Sequence, residues 1–120
     1  MEPKEATLKP GTFVDRLGGP EGMFLYPQDT PIEQRSLPPH VLVFPYYCYE
    51  VLRPFEVVSA EIAPWFDQPG GGTQHMTKYT KIVDPRTGKS ITPTARDLVR
   101  LGYLRLVEFK EGAHSENARS

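Results

Sequence analysis

Thr92-Pro93-Thr94-Ala95-Arg96-Asp97-Leu98-Val99-Arg100-Leu101-Gly102, followed at once by Tyr103-Leu104-Arg105-Leu106-Val107-Glu108-Phe109, holds the clearest helix signal in the chain and the strand that follows it. Thr92 suits an N-cap, Pro93 the first helical position, and Gly102 a C-terminal stop. Ala95, Leu98, Val99 and Leu101 supply an apolar stripe, and Leu104, Leu106, Val107 and Phe109 then read as a closing strand. Upstream the signals are those of strands. Met23-Phe24-Leu25-Tyr26 stands between Gly22 and Pro27, and Tyr46 to Leu52 is aromatic-rich. Phe55 to Ala63 offers Phe55, Val57 and Ile62 to a core, Gln74 to Val83 reads as extended, and Asp84-Pro85-Arg86-Thr87-Gly88 is a turn. Strands, one good helix and a last strand make an α+β domain, a compact mixed or antiparallel sheet with few helices.

The bulk composition narrows the function classes. At 120 residues the chain is long enough for one modest core. A net charge of −1 argues against sequence-independent nucleic-acid binding, which needs a basic surface. The 13 prolines and 10 glycines favour short strands and structured loops over a helix bundle. A single cysteine, Cys48, cannot form an internal disulfide, and its setting between Tyr47 and Tyr49 suits a buried structural thiol. No apolar run reaches membrane-spanning length, and no charged-then-apolar leader opens the chain. Residues 1–10 read as a polar linker, 11–109 as the domain, and 110–120 as a polar tail. His40, His75 and His114 have no metal-ligand spacing, so no metal is expected. Walker, nucleophile-elbow and zinc-protease motifs are absent, and Gly18-Gly19-Pro20-Glu21-Gly22 is not a dinucleotide fingerprint.

The chemistry concentrates in loops. Ala63-Pro64-Trp65-Phe66-Asp67-Gln68-Pro69-Gly70-Gly71-Gly72-Thr73-Gln74 is costly to order, because glycine loses the most backbone entropy on folding. Such a loop belongs where backbone turns sharply or approaches something closely. Gln74 follows it directly, and its amide can both donate to and accept from a sugar hydroxyl. Arg16 precedes Leu17-Gly18-Gly19-Pro20, and Arg35 precedes Ser36-Leu37-Pro38-Pro39. Each arginine can grip phosphate oxygens in pairs, although capping a carbonyl or pairing with a carboxylate is the more usual fate. Phe24 is either a stacking surface for a flat heterocycle or, more commonly for a strand aromatic, a core residue. Trp65 and Phe66 either wall a pocket or anchor the glycine loop to the core, and anchoring is the favoured reading.

Several elements, in this order and spacing, resemble the tuberculosis necrotizing toxin family of NAD glycohydrolase domains. They are Gly11-Thr12-Phe13-Val14-Asp15-Arg16, Gly22-Met23-Phe24-Leu25, Thr30-Pro31, Gln34-Arg35-Ser36-Leu37-Pro38-Pro39, Tyr46 to Pro54, Ile62-Ala63-Pro64-Trp65-Phe66, and Gln68-Pro69-Gly70-Gly71-Gly72-Thr73-Gln74. The last is the most specific. The resemblance implies a fold distantly related to ADP-ribosyltransferases. It also implies hydrolysis of NAD, and often NADP, to nicotinamide and an ADP-ribose product, with the dinucleotide as substrate and no separate cofactor. Arg16 and Arg35 would hold the pyrophosphate, Phe24 would meet the nicotinamide end, and Gln74 would be the catalytic glutamine. The expected binding set is Arg16, Phe24, Arg35, Trp65, Gly72 and Thr73, with Gln74 and Arg35 as the catalytic pair. Some members carry a histidine in the segment that here reads Tyr46-Tyr47-Cys48-Tyr49, and this chain has none. The implied setting is a toxin exported within a larger polypeptide, acting in a target cell's cytosol and matched by an immunity protein, with neither nucleic acid nor membrane as partner. Two other readings remain beside it: a nucleotide-binding module without turnover, and a protein-interaction domain with structural loops. Lys78, Lys81, Arg86 and Lys89 are unplaced candidates for a 2′-phosphate contact.

Overall fold

Among the described residues, 2–111, the computed structural model has nine short strands and one short helix. The elements are β1 (Lys4–Leu8), β2 (Phe13–Leu17), β3 (Phe24–Pro27), β4 (Tyr46–Val51), β5 (Phe55–Glu61), β6 (Thr73–Met76), β7 (Ile82–Asp84), β8 (Lys89–Ile91), α1 (Ala95–Arg100) and β9 (Leu104–Lys110). Two 3-10 turns, Ile32–Gln34 and Pro39–Val43, fill the long β3–β4 connection. Seven strands form one sheet in the order β1-β5-β6-β3-β2-β4-β9, and β7 and β8 form a separate hairpin. Every adjoining pair is antiparallel, so of the expected mixed or antiparallel sheets the chain adopts the second.

The sheet has two working faces. One carries Val14, Leu25, Tyr49, Val51, Val57 and Leu104, which pack with Leu8, Phe55, and Ala95 and Leu98 of α1 to form the main apolar core. The other is covered in its middle by the β3–β4 connection. Because successive strand residues point to opposite faces, β2 is apolar toward the helix at Val14 and polar toward the connection at Asp15, and both are fully buried.

Local chemistry sets the boundaries. α1 is capped by Thr94 rather than Thr92: its hydroxyl accepts from the Asp97 amide at 3.2 Å, while the Thr94 amide donates to Asp97 Oδ2 at 3.0 Å. This reciprocal capping box satisfies two donors that Thr92 could not, and it starts the helix two residues late. Ala95 and Leu98 face the core, whereas Val99 is exposed. Gly102, with φ +84°, follows the last turn as expected.

Two further readings are corrected. Residues 1–10, expected to be a polar linker, contain β1, paired with β5 from Lys4↔Ser59 to Leu8↔Phe55, with Leu8 in the core. Its polarity is that of an edge strand, which needs only one inward face. The extended run from Gln74 breaks after Met76 into a turn closed by Thr80 N donating to the Thr77 carbonyl, and Ile82 begins a different hairpin. β2 and β8 have no run of apolar residues and were not legible as strands. Residues 112–120 of the expected tail, His114 among them, lie outside the described residues.

Candidate active site

The glycine loop closes the β5–β6 hairpin, and its backbone hydrogen bonds explain why glycines stand there. Ile62 and Gly72 continue the ladder beyond the strands, with Ile62 N donating to the Gly72 carbonyl at 2.8 Å. Gly70 N donates to the Glu33 carbonyl at 3.2 Å and Gly72 N to the Gln34 carbonyl at 3.0 Å, sewing the loop to the 3-10 turn that delivers Arg35. A Cβ on Gly72 would stand 2.8 Å from Thr30 Cγ2 and 2.9 Å from the Gln34 carbonyl oxygen. Absence of a side chain therefore brings the segments carrying Arg35 and Gln74 together.

Gln74 stands opposite Ala60 of β5, and Phe24 stands opposite Met76 of the same strand, β6. Residues two apart share a face, so Phe24 and Gln74 lie on the same face of adjacent strands. One step further along this register are Tyr26 and Gln74, and Tyr26 in turn pairs with Asp15. The row Gln74–Tyr26–Asp15 thus crosses three strands toward Arg35. Phe24 is 38% exposed, which removes it from the core role that a strand aromatic usually has.

Arg35 is only 5% exposed. Nη1 donates to Asp15 Oδ1 at 2.7 Å, Nη2 to Asp15 Oδ2 at 3.1 Å, and Nε to the Thr30 carbonyl at 3.0 Å; the guanidinium lies 5.1 Å from the Tyr26 ring centroid. Tyr46 adds a third bond to the carboxylate, its hydroxyl donating to Asp15 Oδ2 at 2.9 Å. Burial and this bond to a carboxylate push the Tyr46 phenol well above its ordinary value. The segment without a histidine accordingly sends a tyrosine to the Asp15–Arg35 pair. A bidentate, buried pair with additional hydrogen bonds fixes the cation in place, and two guanidinium hydrogens remain beyond those used by Asp15 and Thr30.

Arg16 goes elsewhere. It follows Asp15 in β2 and therefore points to the opposite face. Its Nε donates to the Gly19 carbonyl at 2.8 Å and Nη1 to the Phe24 carbonyl at 2.7 Å, clasping the Gly18–Gly22 loop. Burial pulls this guanidinium below its ordinary value, with nearby tyrosines and Glu21 opposing the shift. The two arginines expected to act as one clamp are thus held by different partners: Arg35 shares a face with Gln74, whereas Arg16 shapes the loop before Phe24.

Thr73 shares its face with His75 rather than with Gln74. His75 Nδ1 and Ser59 Oγ lie 2.7 Å apart, and burial lowers the imidazole below its ordinary value. Trp65 and Phe66 do not anchor the loop in the core: Trp65 is 68% exposed, and the two rings stack at 5.0 Å and 10°. Their turn is instead tied down by Gln68, whose Nε2 donates to the Leu37 carbonyl at 2.8 Å.

Asp15, Tyr26 and Tyr46 are the site residues that sequence reasoning left without a role. The one available signal is Asp15 between Val14 and Leu17, a charge that demands a buried partner once both faces of its segment are covered. A cavity of about 330 Å³ lined by Glu5, Phe55, Glu56, Tyr79, Lys81 and Tyr103 contains none of the expected site residues. The hydrogen-bonded cluster of Asp15, Arg35 and Tyr46, rather than this cavity, places the candidate site. Of the candidate 2′-phosphate cations, Lys81 donates to Thr92 Oγ1, Arg86 pairs with Asp84, and Lys78 lies over the Tyr79 ring. Among the described residues no group of three or more histidine, cysteine, aspartate or glutamate side chains could hold a metal, and no helix is long and apolar enough to cross a membrane.

Comparison with known proteins gives consistent results. The chain is 39% identical, over 113 aligned residues and 88% of its length, to a conidial surface nicotinamide adenine dinucleotide glycohydrolase of Aspergillus fumigatus. Its fold matches that of the tuberculosis necrotizing toxin, solved in complex with its immunity factor, with a TM-score of 0.60, 26% identity and 84% of this chain covered. The chain spans 42% of the length of the first protein and 54% of the second. The family model described as tuberculosis necrotizing toxin matches residues 7–107, from the end of β1 into β9 and through both loops of the candidate site, and the chain belongs to that family.

Proposed function

We propose that this domain is an NAD(P) glycohydrolase, cleaving the bond between nicotinamide and ribose to give nicotinamide and ADP-ribose or its 2′-phosphate. The observation that carries the reading is the placement of Gln74 and Phe24 on one face of adjacent strands, with the Asp15–Arg35 pair along the same row. NAD carries a cationic nicotinamide that departs as a neutral molecule, so no general acid is required, unlike the carboxyl pair of ordinary glycosidases. The barrier lies in building positive charge on the ribose. Gln74 accepts a hydrogen bond from a ribose hydroxyl and holds it as that charge grows, Phe24 offers a ring to the departing heterocycle, and water adds at the anomeric carbon. Arg35, held by Asp15, keeps a fixed positive charge beside the row and positions the pyrophosphate through its remaining hydrogens. No separate cofactor enters the reaction. NAD(P) depletion in a target cell, delivery within a larger toxin and neutralisation by an immunity protein extend this reading to the biology of the whole protein.

The test is nicotinamide release from NAD and NADP by the purified protein beside a folded Gln74→Ala variant. Losing one transition-state hydrogen bond costs about 3 kcal/mol, so the variant should slow roughly a hundredfold. An equally active variant would remove Gln74 from the chemistry, and a folded, inhibitor-free parent that releases nothing would refute the hydrolase reading.

A further inference from the structure

Trp65-Phe66-Asp67-Gln68 is a two-residue hairpin turn. Trp65 N donates to the Gln68 carbonyl at 3.1 Å and Gln68 N to the Trp65 carbonyl at 2.9 Å, with φ +52° at Phe66 and +58° at Asp67. Positive φ at both central positions defines a type I′ turn, which normally takes Asn-Gly. Here a phenylalanine carries the strain at the first central position, while Asp67 is a residue such turns accept, and such strain gathers at binding and catalytic sites. The strained turn displays an indole backed on one side by Phe66 and open over most of its surface. A core anchor would be covered, and a merely structural turn would not need a phenylalanine at positive φ behind an exposed flat ring.

The turn's position relative to the active-site row follows from hydrogen bonds. Gly72, two residues before Gln74, is bonded to Gln34, and Gln68, three residues after Trp65, is bonded to Leu37. Arg35 lies between Gln34 and Leu37. Along this rim the backbone order is therefore the segment of Gln74, then that of Arg35, then that of Trp65 with its exposed indole. NAD has the matching order: nicotinamide ribose, pyrophosphate, adenine.

We propose that Trp65 is the platform on which the adenine base of the dinucleotide stacks, with Phe66 as its backing. The assignment rests on the glycohydrolase reading and specifies its far end. Every base has a π-face, so the platform contributes affinity for the adenylate half without discriminating the reacting end.

The assay compares the parent with Trp65→Ala and Trp65→Phe, using AMP and nicotinamide mononucleotide as competitors of NAD hydrolysis. Trp65→Ala should raise the KM for NAD and the inhibition constant of AMP about tenfold, from stacking losses typical of one base. Trp65→Phe should hold both within about threefold, and the inhibition constant of nicotinamide mononucleotide should move less than about twofold. Trp65 is the only tryptophan in the chain, so AMP should also change the intrinsic fluorescence of the parent. An unchanged AMP constant, or equal changes for AMP and the mononucleotide, would overturn the assignment. If the parent releases no nicotinamide, the hydrolase reading fails, while fluorescence and calorimetry with AMP still decide whether Trp65 binds an adenylate.

Discussion

Gly72→Ala is the sharpest test of how the loop builds the site. The new Cβ meets Thr30 Cγ2 at 2.8 Å and the Gln34 carbonyl oxygen at 2.9 Å, where ordinary contact begins at 3.4 Å. Relief therefore requires roughly 0.5 Å of separation between the loop and the backbone just before Arg35, because the Gln34 carbonyl is backbone and Thr30 is a short, β-branched side chain stiff about its first torsion. Overpacking of this kind costs about 1–3 kcal/mol of stability. The movement also separates the segments carrying Gln74 and Arg35, and sub-ångström misplacement of a reacting group should slow turnover about 10- to 100-fold. Gly71→Ala is the control. Its φ of +96° makes alanine strained, but its Cβ meets nothing within 4 Å. It should cost about 1–2 kcal/mol of stability and leave turnover within about threefold of the parent. Urea unfolding and steady-state nicotinamide release measure both quantities. A Gly72→Ala protein with parental turnover, or a Gly71→Ala protein slowed as strongly, would refute the argument that close approach at Gly72 sets the spacing of the site.

Other consequences follow from the buried groups. Asp15→Ala leaves Arg35 buried without its counter-ion and Tyr46 without its acceptor; it should cost about 3–5 kcal/mol in urea unfolding and lower nicotinamide release, whereas a loss under about 1 kcal/mol would show that the pair is not needed. Burial lowers the His75 imidazole, so the unfolded chain binds more protons as pH falls below about 6.5; stability should drop between pH 7.5 and pH 5, and His75→Asn should flatten that dependence. Asp84 is held down to about 2, chiefly by the Arg86 amide and also by Arg100, so its contribution should be present above its ordinary pKa and disappear as pH falls from about 4 to 2, with Asp84→Asn insensitive over that window.

Much of the site was legible because its elements are local. The glycine run, Gln74 after it, and Arg35 before Ser36-Leu37-Pro38-Pro39 are contiguous in sequence, so their type and order carry meaning without coordinates. Phe24 was ambiguous, since a strand aromatic can face either way until its neighbours are known. β1 reads as a polar linker because an edge strand with Ala6 and Leu8 inward leaves no apolar run. The helix was legible in type but not in its first residue, because Thr92 and Thr94 are both acceptable caps and only Asp97, three residues after Thr94, completes the reciprocal bonds.

An α+β chain with few helices, a costly loop with a glutamine behind it, and two arginines beside turns can all be read from the order of residues alone. Backbone conformation and turn chemistry are written over a few neighbouring residues, so they survive without tertiary information. Only the tertiary structure decided which groups meet. The register of β2, β3 and β6 sends Asp15, Tyr26 and Gln74 to one side and Arg16 to the other, and a shift of one residue would exchange those sides. Likewise, Asp15 and Arg35 are separated by the β2–β3 loop and strand β3, and become partners only when the β3–β4 segment folds over the sheet and excludes water from both charges.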